Sequence, residues 1–335
     1  MRSAKWLILW ILVASLLLSA CAQATTTPTV EEKPFKVAVI LPSTVRDLEW
    51  SQSLYEGLLK VQQEMGGPSK LEIAISEDAW DVTNAAAAIR DYASQGYNLI
   101  IAHGAQYGTS LQQIAPEFPQ TSFAWGTTTQ TYKEEGINNI FAYQPEAQEG
   151  GYVNGVIAGM LTKTKVVGVT GPVEAGDARL YNLGFEAGVK SVDPSIQVNI
   201  SYTGSFSDVS LMAAAAETHV RAGADVLTGT SQSVTGAINV AKQNGIIWLA
   251  SAWYQDSLAP DTVAANLIYR WEVILRDMVA SNKAGEPGGK VYYLSFKNGG
   301  LEMVYNDKLV PAEVKAKAEA TIQGIKDGSI VVDVK

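Results

Sequence analysis

The sequence predicts an α/β protein of two similar lobes, each a doubly wound parallel sheet. A unit of helix, glycine and buried strand recurs along the chain, and its strands are unbroken apolar runs. The foldable part, about 300 residues, also exceeds the usual size of one hydrophobic core. Strands covered on both faces lose the alternation of an exposed sheet. Helices that alternate with such strands make parallel crossovers.

The first predicted strand is 35–41, Phe-Lys-Val-Ala-Val-Ile-Leu. A helix follows in which Leu54, Leu58, Val61 and Met65 form a core-facing stripe, with Glu56, Lys60 and Glu64 outward. Strand 71–75 comes next, then an alanine-rich helix from Asn84 ending at Gly96, then strand 97–102, and strand 122–125 closes the first half. Strand 166–170 opens the second half, with a helix around 181–192 and strand 198–202 behind it. Two more units complete the pattern: a helix from Leu211 to Gly223 with strand 224–228, and a helix from Gly236 to Gly245 with strand 246–250. Alanine favours helix, and a glycine past the last turn takes the left-handed cap that other residues resist.

The N-terminus sets the compartment. Arg2 and Lys5 precede a run from 6 to 18 that is apolar apart from Ser15, shorter than the about 20 residues a membrane span needs. This predicts a signal peptide over 1–20. Leu18-Ser-Ala-Cys21 resembles the bacterial lipobox, which implies that Cys21, the only cysteine, is lipidated and anchors the chain to the outside of the bacterial cell membrane. Residues 21–34 are polar and rich in Thr and Pro, a flexible tether. A net charge of −9 with 18% charged residues leaves no basic patch for phosphates, so no nucleic-acid partner is expected.

In open α/β sheets ligands bind beyond the carboxyl ends of the strands. Those loops are 42–50, 77–80, 103–107, 125–129, 170–177, 204–208, 229–233 and 251–256. They hold Trp50, Trp80, Tyr107, Trp125, Phe206, Trp253 and Tyr254 beside small polar residues such as Ser51, Thr230 and Ser231. Flat rings beside hydrogen-bonding groups suit a planar ligand, although any one ring can equally plug its own lobe. Asp47 and Asp256 can accept from a ligand N–H, whereas Asp208 in Ser-Phe-Ser-Asp reads as a helix cap. His103 reads as a cleft contact or as a satisfied structural histidine, and His219, in mid-helix, is expected at the surface.

Enzymatic sets are missing. Neither a G-x-x-x-x-G-K-[ST] loop nor a G-x-S-x-G elbow occurs, and two histidines with one lipidated cysteine make no zinc site. The pair Glu77-Asp78 reads as solvated carboxylates. No catalytic residue, metal or cofactor is expected.

Five segments in register resemble the basic membrane protein (BMP) family of ABC-transporter substrate-binding lipoproteins. They are Trp50-Ser-Gln-Ser-Leu-Tyr-Glu-Gly57, the stretch from Gly151 to Thr164, Gly184-Phe-Glu-Ala-Gly188, Gly204-Ser-Phe-Ser-Asp208 and Gly223-Ala-Asp-Val-Leu227. The resemblance implies a type I periplasmic-binding fold with a three-strand hinge, working as a monomer that hands a small molecule to an ABC permease. It sets Trp50 at the position that stacks on a base, with Ser51 after it and Asp47 before. Where nucleoside-binding members hold ribose, this chain has Ala250-Ser-Ala-Trp-Tyr-Gln-Asp256, and Trp253 is expected to crowd a sugar. A purine base is therefore expected, with a nucleoside, or a ligand-sensing role at a membrane receptor, as the alternatives. Crossings near Tyr143, Asn266 and Gly288 divide the body into a lobe of 35–143 plus 266–287, including a helix 266–283, and a lobe of 144–265 plus 288–335.

Overall fold

Strands form where the chain turns apolar on both faces. In the computed structural model, which describes residues 33–334, the first half runs β1 (Phe35–Ile40), α1 (Trp50–Glu64), β2 (Leu71–Ser76), α2 (Val82–Ser94), β3 (Leu99–Ala102), α3 (Gly108–Ile114), β4 (Ser122–Gly126) and β5 (Ile140–Pro145). The second runs α4 (Ala147–Leu161), β6 (Val166–Gly171), α5 (Gly176–Val192), β7 (Gln197–Tyr202), α6 (Val209–Arg221), β8 (Val226–Gly229), α7 (Thr235–Asn244), β9 (Ile247–Ala250) and β10 (Val263–Tyr269). After these come α8 (Glu272–Lys283), β11 (Val291–Leu294), β12 (Leu301–Tyr305) and α9 (Ala312–Asp327). The expected signal peptide, Cys21 and nearly all of the tether lie outside the described residues. Among the described residues no helix is long and apolar enough to cross a membrane.

Two sheets result. The first, in the order β11-β5-β4-β3-β1-β2, is parallel throughout. The second, β12-β10-β9-β8-β6-β7, is parallel except that β12 runs against β10. In both, the strand order reverses beside the first strand of the half, between β1 and β3 and between β6 and β8. Such switch points open a crevice at the strands' carboxyl ends. The helix caps follow the sequence: Asp81 accepts from the Asn84 N–H, Asp208 accepts from Ser210 and Leu211, and Gly96, Gly223 and Gly245 are left-handed.

The chain passes between the sheets after β5, after β10 and after β11. These passages lie beyond the expected points, because each strand pairs along its full length before leaving its sheet. Tyr143 still pairs within the first sheet, Asn266 pairs with Ala250 and Val304 in the second, and Val291–Leu294 extends the first sheet beside β5. The expected helix 266–283 is thus a strand to Tyr269 and a helix only from Glu272. His219 is a second correction: it is 2% exposed and bonds the Val169 carbonyl through Nε2 at 3.1 Å. Gly168 makes room for it, since a Cβ there would stand 2.6 Å from the His219 Cβ.

Glycines also set how α4 meets α5. A Cβ at Gly151 or Gly155 would lie 2.1 Å from the carbonyl oxygen of Tyr181 or Phe185, and one at Gly188 would lie 2.1 Å from that of Tyr152. Backbone therefore packs on backbone, and α5 is held with its first turn at the crevice. Two of the segments that carry the family resemblance are this packing surface. Gly155→Ala should lower the unfolding free energy by about 1–3 kcal/mol, the usual range for overpacking a close contact. Urea denaturation checks it, and an unchanged midpoint would show that the helices can part freely.

Candidate ligand-binding cleft

The loops at the two switch points face each other and enclose a cavity of about 310 Å³. The first lobe contributes Pro42, Glu49, Trp50, Trp80, Thr127 and the turn from His103 to Gln106; the second contributes residues 172–173 and 175–178, Phe206 and residues 230–232. Among the expected site residues, Trp50, His103, Phe206, Thr230 and Ser231 come together here.

Trp50 and His103 build one another. Their rings stack at 4.2 Å with planes 8° apart, the indole N–H donates to the His103 carbonyl, and His103 Nε2 lies 3.1 Å from the Trp50 carbonyl. A carbonyl only accepts, so the imidazole proton sits on Nε2, and Nδ1 accepts from the Tyr143 hydroxyl at 2.8 Å. Burial pushes the His103 pKa down to about 3, which keeps the ring neutral. His103 therefore borders the cleft while both ring nitrogens are bonded within the protein, as a satisfied structural histidine is. Tyr269 and Trp271 meet the Trp50 ring edge-on.

Asp47 is not a cleft residue. Its carboxylate accepts from the N–H groups of Glu49, Ser51 and Gln52, each at 3.0 Å, and so caps α1. Ser51 is buried behind it, its hydroxyl accepting from Ser43 N–H. The left-handed Leu48 (φ 57°) turns Glu49, instead of Asp47, toward the cavity. Glu49 is 5% exposed; burial, with the charges of Asp47 and Asp177, pushes its carboxyl well above the usual range. Asp177, in the first turn of α5, is raised to about 6 by burial, against N–H bonds from its own backbone and Ala178.

From the second lobe, Ser231 donates to the Phe206 carbonyl at 2.5 Å and fixes that loop. The Phe206 ring then reaches Trp80 of the first lobe, centroid to centroid 5.5 Å at 38°. Behind the lining, Tyr107 is fully buried and donates to the Ala79 carbonyl, tying the Trp80 loop to the turn after β3. Trp125 stacks on Tyr132 and donates to the Ala105 carbonyl, so it supports that turn from outside.

Trp253 and Asp256 lie elsewhere. Ala252 is left-handed (φ 60°) and turns the chain away after Ser251, so Trp253 packs on Tyr254 and borders a recess with Lys60, Arg270 and Glu272. Asp256 borders another recess with Asn266 and Asn306. The expected crowding of a sugar by Trp253 therefore has no counterpart in the cleft. That loop instead reaches across through Ser251, whose hydroxyl meets Glu49, and Gln255, which donates to the Leu48 carbonyl at 3.1 Å. Sequence reasoning missed Glu49, Asp177 and Gln232, and named Trp80 without placing it in the site. Their loops were legible; which carboxylate caps and which faces the cavity depends on the turn at Leu48.

Known proteins resemble this chain over nearly its whole length. A model of the Bmp family, described as ABC transporter substrate-binding protein PnrA-like, matches residues 35–335. A purine-binding protein of Brucella abortus is 27% identical over 318 residues, covering 95% of this chain and 86% of that protein. The ABC transporter nucleoside-binding protein BmpA of Lactococcus lactis is 25% identical over 323 residues, covering 90% and 89%. An ABC transporter solute-binding protein from Conexibacter woesei shares the fold, with a TM-score of 0.73 at 21% identity over 88% of this chain and 97% of that one.

Proposed function

The chain belongs to the Bmp family of PnrA-like ABC transporter substrate-binding proteins, and we propose that the solute it delivers is a purine base. As a member it is an extracytoplasmic receptor that hands a small molecule to an ABC importer. One observation carries the choice of ligand: aromatic rings from both lobes, Trp50 and Trp80 on one side and Phe206 on the other, line one cavity together with hydrogen-bonding groups. Its volume of about 310 Å³ stands at the small end of ligand sites, which favours a base over a nucleoside. The relative whose name says purine-binding supports the base, and the one named nucleoside-binding is the reason to test both.

Thermal unfolding with adenine, guanine, hypoxanthine, xanthine, their nucleosides, sugars and amino acids tests the assignment. Ligand at about a hundred times its dissociation constant stabilises by about 2.7 kcal/mol, a shift of several degrees for a body of this size. Bases should give that shift and nucleosides less. Shifts with sugars or amino acids alone would overturn the purine assignment and leave the receptor class standing.

The anchor belongs to the same proposal. Leu18-Ser-Ala-Cys21 resembles a lipobox, and an acylated Cys21 would keep this monomeric receptor at the membrane beside its permease. Cells fed labelled palmitate should label the full chain and not Cys21→Ser; label retained in the variant would remove the anchor.

A further inference from the structure

Glu49 and Asp177 come from opposite lobes and border the same cavity, and no lysine or arginine is among the residues lining it. Beside them the Thr230 hydroxyl, on a residue only 7% exposed, has no hydrogen-bond partner, and neither does Gln232 Oε1. Buried polar atoms are rarely left unpaired, so these two mark where a ligand's polar edge belongs.

Ser251 decides how Glu49 presents itself. Its hydroxyl oxygen stands 2.8 Å from the Gly229 carbonyl oxygen and 3.1 Å from Glu49 Oε1. One hydroxyl has one proton, and the carbonyl can only accept. With that proton on Gly229, the contact to Glu49 is completed by a proton on Glu49 itself. Glu49 is then a carboxylic acid whose proton lies toward Ser251, which leaves its other oxygen as an acceptor for the ligand, and Asp177 is a second acceptor from the opposite lobe. Asp47, Tyr181 and Tyr269 are the other titratable groups acting on this pair, and none supplies a positive charge.

We propose that Glu49 and Asp177 set ligand choice in the cleft, taking a purine that carries an exocyclic amine and rejecting purines that carry a negative charge. This rests on the purine assignment made above. The exocyclic amine of adenine carries two hydrogens and no charge, which suits the acceptor oxygens of Glu49 and Asp177. The adjacent N1–H and 2-amine of guanine form two parallel donors that complement a carboxylate. A urate monoanion has no exocyclic amine, finds no cation among the lining residues, and meets the Asp177 charge in a poorly solvated site.

Titration calorimetry at pH 7.5 with adenine, hypoxanthine and urate tests this on the wild type and three variants. Wild type should bind adenine about tenfold tighter than hypoxanthine, which has no exocyclic amine, and equal affinity for the two would overturn the proposal. It should bind adenine about a hundredfold tighter than urate, and Asp177→Asn should narrow that ratio by about tenfold. Glu49→Gln keeps an N–H for Ser251 and an acceptor oxygen for the ligand, so its adenine affinity should stay within about threefold of wild type. Glu49→Leu should lose more than about tenfold, with its melting transition confirming that it folds. Urate bound within about threefold of adenine by the wild type, or an adenine-to-urate ratio unmoved by Asp177→Asn, would overturn the proposal and leave the purine assignment intact. Should no purine bind the wild type, the purine assignment falls and this proposal falls with it.

Discussion

Trp50→Ala should lower the unfolding free energy by about 3–5 kcal/mol, the usual cost of emptying a buried tryptophan site. The ring is 7% exposed, with His103 stacked on it and Tyr269 and Trp271 against its edges. Its loss also leaves the His103 carbonyl without the indole donor, inside a site where His103 and Tyr143 are themselves buried. Trp50→Phe keeps one ring and loses the donor with part of the indole's volume, so it should cost less, about 1–3 kcal/mol. Urea denaturation of both variants checks the order. A loss below about 1 kcal/mol in the alanine variant would mean that the surrounding rings close over the gap.

Phe206→Ala should weaken binding of a purine base while leaving the ligand-free protein almost as stable as before. Stacking a base on an aromatic ring contributes roughly 1–3 kcal/mol, a loss of about 5- to 150-fold in affinity. The ring is partly exposed at the cleft mouth and its chief ring contact is Trp80, so its removal opens little core. Calorimetric titration with adenine, beside a thermal melt without ligand, separates the two effects. Unchanged affinity would place the base away from the second lobe's aromatic wall.

Much of the fold was legible because its strands are apolar on both faces and its helices end in left-handed glycines. Strand β10 was not. Val263-Ala-Ala-Asn-Leu-Ile-Tyr269 carries the alanine, leucine and asparagine of an ordinary helix, and only its complete burial between β9 and β12 shows why it extends. The strand-end rule found the cleft and five of its lining residues. It failed at Trp253 and Asp256, because the left-handed turn at Ala252 carries the loop back out of the cleft after Ser251. At Asp47 and Glu49 the failure has the same source. Two carboxylates stand two residues apart, and a single positive φ at Leu48 makes the first a helix cap and turns the second to the cavity. The family segments around Gly151 and Gly184 drew attention as motifs, yet they serve the contact of α4 with α5.

The central claim is that a flat base lies between the two lobes, against aromatic rings of both. A crystal structure of the protein with adenine tests it most directly. The account predicts the ring in the cavity, within about 4 Å of the Trp50 or Phe206 side chain, its amine toward Glu49 and a polar edge on Thr230. Adenine in the recess beside Trp253, or a cleft filled by a different class of molecule carried through purification, would contradict it.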